Sequence, residues 1–443
     1  MVDISVILSA LERGFSLAFE FWWAWLPIIL GMAAYQLWFD YQRMKFLAGL
    51  RWVIVEVIPP PEMLYSSPMA AENLFAGLHA SYAGFPGTTW KSQFFQGKVP
   101  VAFSFEIVSS GGETHFFIRC LEDQRNVIEA LIFAQYPQAE IKIAEDYVKL
   151  LPDKFDPVQY DVSGAELEFT KEQAYPIKSW KEFEEAGGKD EYARLDPIAP
   201  LLEIMSALQA GEYLWLQYII RATGGDWFKE GQKEVDKIMG KAEKPSETPL
   251  VLKLIGLPFT LLESLFTEAK PEEKKKEEKE FNLQKLTSTQ KDVLEKVENK
   301  LAKLGFKAGI RLLYTARSDA FNGSRIASVT AMFKQLYYNN LNSFKPKNTT
   351  RDKGFLKWIF PSDKGILADA RILKKKNRMY EAYRKREFPN TAFPKDTGDE
   401  LLVFLNTEEL ATLWHLPGLN VKAPMLPRVQ SKKGQPPATL PTR

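Results

Sequence analysis

A chain of 443 residues, 45% hydrophobic and 26% charged, has the length for two or three packed domains, and its net charge of +2 excludes a molecule that binds nucleic acid by bulk charge. A single cysteine, Cys120, excludes an intramolecular disulfide and a cysteine-built zinc cluster. His79, His115 and His415 lie far apart in sequence, so metal and cofactor chemistry have few ligands to draw on and none is expected.

The chain opens on its most distinctive segment. Phe21 to Phe39, "FWWAWLPIILGMAAYQLWF", is free of charge between Glu20 and Asp40. As a helix rising about 1.5 Å per residue it covers roughly 28 Å, against ~30 Å of bilayer hydrocarbon. Trp22, Trp23 and Trp25 at one end and Trp38 and Phe39 at the other stand where interfacial aromatic anchors belong. A secretory signal peptide would begin with positive charge, whereas Asp3, Glu12, Arg13 and Glu20 precede this segment. The pattern predicts one transmembrane helix over 21–39, with the lipid bilayer as partner. Arg43, Lys45 and Arg51 follow it and only Arg13 precedes it. The positive-inside rule therefore places residues 1–20 outside the inner membrane and the rest in the cytoplasm.

Beyond residue 50 the elements alternate. Arg51–Pro59 reads as a β-branched strand, and Ser67-Pro68 opens a helix with a cap and an N1 proline. "VAFSFEIVSS" and "THFFIRCL" flank Gly111-Gly112-Glu113 as a hairpin, then come a helix and the strand "AEIKIAEDYV". This β-α-β-β-α-β order predicts a ferredoxin-like domain over 50–150. Residues 151–211 read as a connecting region. A second α+β unit over 212–420 contains the strands "EYLWLQYIIRA", "KAGIRLLYTAR" and "ELLVFLN" with helices between them, as an interrupted and divergent repeat of the first. Its inserts are the amphipathic stretch Leu250–Phe266 and a Glu/Lys run over 267–280; 421–443 is a Pro/Lys/Arg-rich tail. The fold class expected is α+β.

Two further stretches carry functional expectations. Arg371–Arg386 places Arg371, Lys374, Lys375, Lys376, Arg378, Arg384, Lys385 and Arg386 around one acid, with Tyr380 and Tyr383 between them. Such a segment is either a solvated helix face or a site for polyanions, DNA phosphate and anionic lipid alike. No phosphate-binding loop, serine elbow or H-E-x-x-H motif occurs, and Glu145-Asp146 at a strand end reads as surface charge, so no enzyme is expected.

"RWVIVEVIPPPEMLYSSPMAAENLFAGLH", "FSFEIVSSGGETHFFIR", "AQYPQAEIKIAEDY", "WLQYIIR", "GFKAGIRLLYTAR" and "LNTEELATLWHLP" together resemble the membrane-anchored N-terminal region of conjugation-type ATPases of the HerA/FtsK superfamily, akin to type IV secretion coupling proteins. The resemblance implies that Glu408, Glu409, Leu410, His415 and Pro417 belong to a junction that hands over to a P-loop motor. The motor itself is not in this sequence. The implied role is a non-catalytic scaffold or adaptor of a translocation apparatus, partnered by a separate P-loop ATPase and by copies of itself. A membrane-tethered nucleic-acid binder using 371–386 is the alternative.

Overall fold

The computed structural model describes residues 20, 22–60, 67–82, 90–98, 101–153, 155–186, 195–224, 226–239, 287–337, 340–350, 366–387, 402–418 and 427. Residues 1–19, the amphipathic stretch 250–266, the Glu/Lys run 267–280 and all of the tail but Pro427 lie outside the described residues.

Helix α1, Trp22–Ala48, forms where the apolar segment was expected but runs on through Asp40, Arg43 and Lys45 without a break. Among the described residues no helix is long and apolar enough to cross a membrane. The physical reason is in the side chains: Trp22, Trp23, Tyr35, Gln36 and Trp38 carry polar groups that dilute the apolar character of the segment. The base of α1 packs on the short helix α3, Trp90–Gln96. There Trp38 Nε1 donates to Phe94 O at 3.1 Å, and the Tyr35 and Phe94 rings stack at 5.4 Å.

The first unit follows the predicted order: β1 Trp52–Ile58, α2 Ser67–Tyr82, α3, β2 Phe103–Ser110, β3 Glu113–Leu121, α4 Arg125–Gln135 and β4 Glu140–Ile143. Gly111 and Gly112 form the β2–β3 turn with φ of 58° and 97°, a region closed to most side chains.

The second unit begins earlier than expected. β5, Tyr160–Phe169, lies inside the stretch read as connecting region, and α5 Trp180–Ala186, α6 Ala199–Ser206 and β6 Glu212–Ala222 follow it. Next come α7 Asp226–Ile238, α8 Ser288–Leu301, β7 Gly305–Arg317, α9 Ser324–Met332 and β8 Phe344–Lys347. Thr287 caps α8 in a reciprocal capping box with Gln290. The strand order is β4-β1-β3-β2-β6-β7-β5-β8, all neighbours antiparallel. Taking β5, β6, β7 and β8 as counterparts of β1, β2, β3 and β4, this order reads the same from either end. The chain is therefore a tandem repeat joined edge to edge through β2 and β6 into one sheet. The α7–α8 pair occupies the place of the glycine turn in the first unit.

Period-two alternation sorts the sheet's side chains. Phe105, Ile107, Phe116, Leu216, Leu312 and Tyr314 face the helical layer and form the larger core. Val108, Phe117, Trp215 and Leu313 face the other way. That second face is covered by Tyr147, Val148 and the helix α10, Ile366–Lys385. Finally β9, Val403–Asn406, pairs with the start of β7, and α11, Thr407–Leu413, turns into the larger core.

Candidate functional site

Four strands each contribute one buried polar residue to a row beneath α10: Glu106 on β2, Gln217 on β6, Arg311 on β7 and Glu166 on β5. The register makes Glu106 opposite Gln217, Gln217 opposite Arg311 and Arg311 opposite Glu166, so the four form one transverse row. The row is hydrogen-bonded along its length. Gln217 Nε2 donates to Glu106 Oε1 at 3.1 Å, and Arg311 Nη1 donates to Gln217 Oε1 at 3.1 Å. Arg311 Nη2 and Nε donate to Glu166 Oε1 at 2.7 and 3.1 Å. At the outer ends, Glu56 stands opposite Lys142 and Glu166 opposite Lys347, which are matching positions of the two repeats.

The C-terminal end of α10 docks on this row. Met379, Tyr380 and Tyr383 face the sheet, and Arg386, at φ 52°, swings its guanidinium under the helix end. Arg386 donates to Glu106 at 2.7 and 3.1 Å and to Asp146 at 2.8 Å twice, so one guanidinium holds two carboxylates. The last carbonyls of α10 need donors, and the sheet supplies them. Arg311 Nη1 donates to Ala382 O at 3.0 Å and Gln217 Nε2 to Tyr383 O at 3.3 Å, while Arg311 Nη2 reaches Glu387 O, just past the helix, at 3.2 Å. Tyr147 donates its hydroxyl to Glu106 Oε2 at 2.7 Å and lies 2.8 Å from the Tyr383 hydroxyl.

These groups are desolvated: Glu106 and Gln217 are 0% exposed, Arg311 2% and Arg386 6%. Burial would raise the Glu106 carboxyl, but the charge and hydrogen bonds of Arg386, with Ser104 and Tyr147, hold it below the ordinary carboxylate range. Burial likewise works against the charge on Asp146, and the Arg386 hydrogen bonds draw its pKa down instead. Partial burial, with the positive Arg386 nearby, draws Arg119 down to about 10. Chemically, the arrangement is an electrostatic lock whose charges are spent on one another and on the helix end.

Gly164 on β5 makes room for this docking. A Cβ there would lie 2.8 Å from Met379 Cγ and 3.0 Å from Leu312 O. Replacing Gly164 by Val should lift α10 and destabilise the chain by about 1–3 kcal/mol. Urea unfolding measures the loss, and the Trp215 ring, whose centroid lies 5.4 Å from that of Tyr383, is among the contacts that change.

The predicted basic segment is thus divided. Arg386 is in the lock, Arg384 holds Pro152 O and Asp153, and Lys376 pairs with Asp161. Arg371 is half-buried, while Lys374, Lys375, Arg378 and Lys385 are exposed, the last 3.7 Å from Glu381. Asp146, read as surface charge, is a partner of the lock.

The predicted junction is also relocated. Glu409 is buried, accepting from Ile177 N at 2.9 Å, from Asn406 N at 3.0 Å and from Lys300 at 3.2 Å. Burial pushes the Glu409 carboxyl up and the Lys300 amine down. Glu408 pairs with Lys181 at 2.9 Å and with Lys303. His415 lies between Ala411 O at 2.7 Å and Asp196 Oδ1 at 3.0 Å, and Leu410 and Pro417 are buried. Asn406 is the N-cap of α11 and shares a capping box with Glu409. Glu409 to Pro417 is therefore packed into the core, with Glu408 half-buried at its edge. Of the anchor residues, Trp22, Trp23 and Trp38 are exposed and Phe39 is half-buried; the side chain of Trp25 lies outside the described residues.

Glu106, Glu166, Gln217 and Arg311 escaped the sequence reading. A partial signal was present: each is a charged or amide residue inside a largely apolar strand, as in "FSFEIV", "GAELEF", "WLQYII" and "GIRLL". Among the described residues no group of three or more His, Cys, Asp or Glu is placed to hold a metal ion.

A family model described as Domain of unknown function (DUF8128) matches residues 42–425. No curated protein matches the chain in sequence.

Proposed function

The chain belongs to the family described as Domain of unknown function (DUF8128), and on that premise we propose that it is a membrane-attached, non-catalytic scaffold of a translocation apparatus. The observation that carries the reading is the surface of α1. Trp22, Trp23, Leu30, Met32 and Leu37 are 54%, 63%, 58%, 68% and 70% exposed. At about 100° per residue these five cover one half of the helix, and Tyr35 and Trp38, 45% and 43% exposed, fall on the other half, so apolar and aromatic side chains look outward on all sides, and such a helix needs an apolar surrounding. A bilayer supplies one, and the aromatic residues suit its interfaces. Arg43, Lys45 and Arg51 favour a cytoplasmic body. The tandem sheet, with its buried charges spent internally, suits a rigid platform on which other subunits assemble. The resemblance to conjugation-type membrane regions supports a P-loop ATPase as the partner.

Fractionation of cells expressing the full chain tests the attachment. We expect the protein in the membrane pellet, resistant to high salt and alkaline carbonate, and released when Leu30 and Leu37 are both replaced by Lys. A full chain recovered in the supernatant would sink the reading.

A further inference from the structure

Helix α10 distributes its charge unevenly around its axis. At about 100° per residue, the buried Met379, Tyr380 and Tyr383 fall on one side, and Lys374, Arg378 and Lys385 fall together on the opposite side. These three are exposed. Their neighbours Lys376, Arg384 and Arg386 turn inward to Asp161, Asp153 and the Glu106–Asp146 pair. A run of basic residues is thereby resolved into a docking half and a free-facing half. The outward half forms a stripe roughly 16 Å long at about 1.5 Å per residue. Glu381, within the stripe, pairs with Lys385 at 3.7 Å, and both are exposed, so that contact is weak.

The stripe also has a definite neighbour. Glu387, just past the end of α10, and Asp40 both exert an electrostatic pull on the half-buried Arg43 at the base of α1. The end of the basic helix thus lies within electrostatic reach of the base of the apolar one. We propose that Lys374, Arg378 and Lys385 form a contact face for anionic lipid headgroups at the bilayer surface that α1 enters. The occupant follows from charge complementarity and from continuity with α1, and the proposal rests on the membrane reading of that helix. Basic side chains within a Debye length of an anionic leaflet are attracted to it, and salt screens that attraction.

Thiol labelling of the full chain in lipid nanodiscs tests this. The native Cys120 is 0% exposed, so an introduced cysteine is the accessible thiol. Glu381→Cys reports on the stripe without removing its cations, and Leu30→Cys reports on α1. In discs of phosphatidylcholine with one-third phosphatidylglycerol, the Glu381→Cys thiol should react with a maleimide about three- to tenfold more slowly than in phosphatidylcholine alone. High salt, or Lys374→Glu with Arg378→Glu, should abolish the difference. Equal rates in both discs, with the Leu30→Cys thiol protected, would overturn the lipid face and leave the anchor standing. A Leu30→Cys thiol that reacts as fast as a soluble thiol would overturn the anchor and the lipid face with it. Slowing by added duplex DNA in neutral discs, without slowing by anionic lipid, would overturn the proposal in favour of a nucleic-acid face.

Discussion

Replacing Arg386 by Met should destabilise the chain by about 3–5 kcal/mol, because it strands the Glu106 carboxylate in a buried site without its charge partner. Glu106 is 0% exposed and receives two of its hydrogen bonds from that guanidinium. Adding Glu106→Leu to the same chain should recover most of the loss, since the penalty belongs to the unpaired charge more than to the missing attraction. Asp146, whose side chain is 27% exposed, can turn to solvent in the double variant. Urea unfolding followed by tryptophan fluorescence measures all three chains. A double variant as unstable as the single one would mean that the guanidinium acts mainly through packing.

The same pair gives the pH dependence a definite sign. Glu106 and Asp146 are depressed in the folded chain. Their contribution is therefore present above the unfolded carboxylate values near about 4 and is lost as pH falls through the lower folded values. In Arg386→Met the largest influence left on Glu106 is burial, which raises it above the unfolded value. Its effect then reverses: the contribution is present below the unfolded value and is lost as pH rises through the raised folded one. Acidification from neutral pH should thus narrow the stability gap between the variant and the parent. A constant gap from pH 7 to pH 5 would remove Glu106 as its source.

What the sequence made legible was local. Gly111-Gly112 marks a turn by chemistry confined to two residues, and the alternation of Ile310, Leu312 and Tyr314 marks a strand within a few more. β5 was hidden because Gly164, Glu166 and Glu168 break the apolar pattern of "YDVSGAELEF". Their reasons lie elsewhere in the chain: Gly164 yields to Met379, Glu166 meets Arg311, and Glu168 meets Lys345 and Lys347. The polar row was illegible for the same reason. Residues 106, 166, 217 and 311 come together only through strand register, and one strand shifted by a single position would send its side chains to the other face. For the basic segment, composition revealed the charge but not its direction. Only the docked face of α10 separates Arg386, which is structural, from Arg378, which is exposed.

The final described segment should have an equally large effect, in a way that bears on how partners are sought. Trp414 is 1% exposed and packs against Phe105, Phe116 and Phe75 at ring-centroid distances of 4.9, 6.1 and 6.2 Å. Trp414→Ala should cost about 3–5 kcal/mol through the cavity it leaves. Ending the chain before Leu402 removes more. It takes away β9, the Glu409 that binds Ile177 N, and the His415 that meets Asp196. That truncation should lose cooperative unfolding, whereas a chain ended after Gly418 keeps those contacts and should unfold like the parent. Calorimetry of the two truncations decides the matter. If the shorter chain also unfolds cooperatively at the parental temperature, the segment is an appendage and its place in the core is overstated. If it does not, a partner lost on cutting before Leu402 indicates only an unfolded scaffold. Binding determinants near this end must then be mapped with cuts beyond Gly418, where the core is left intact.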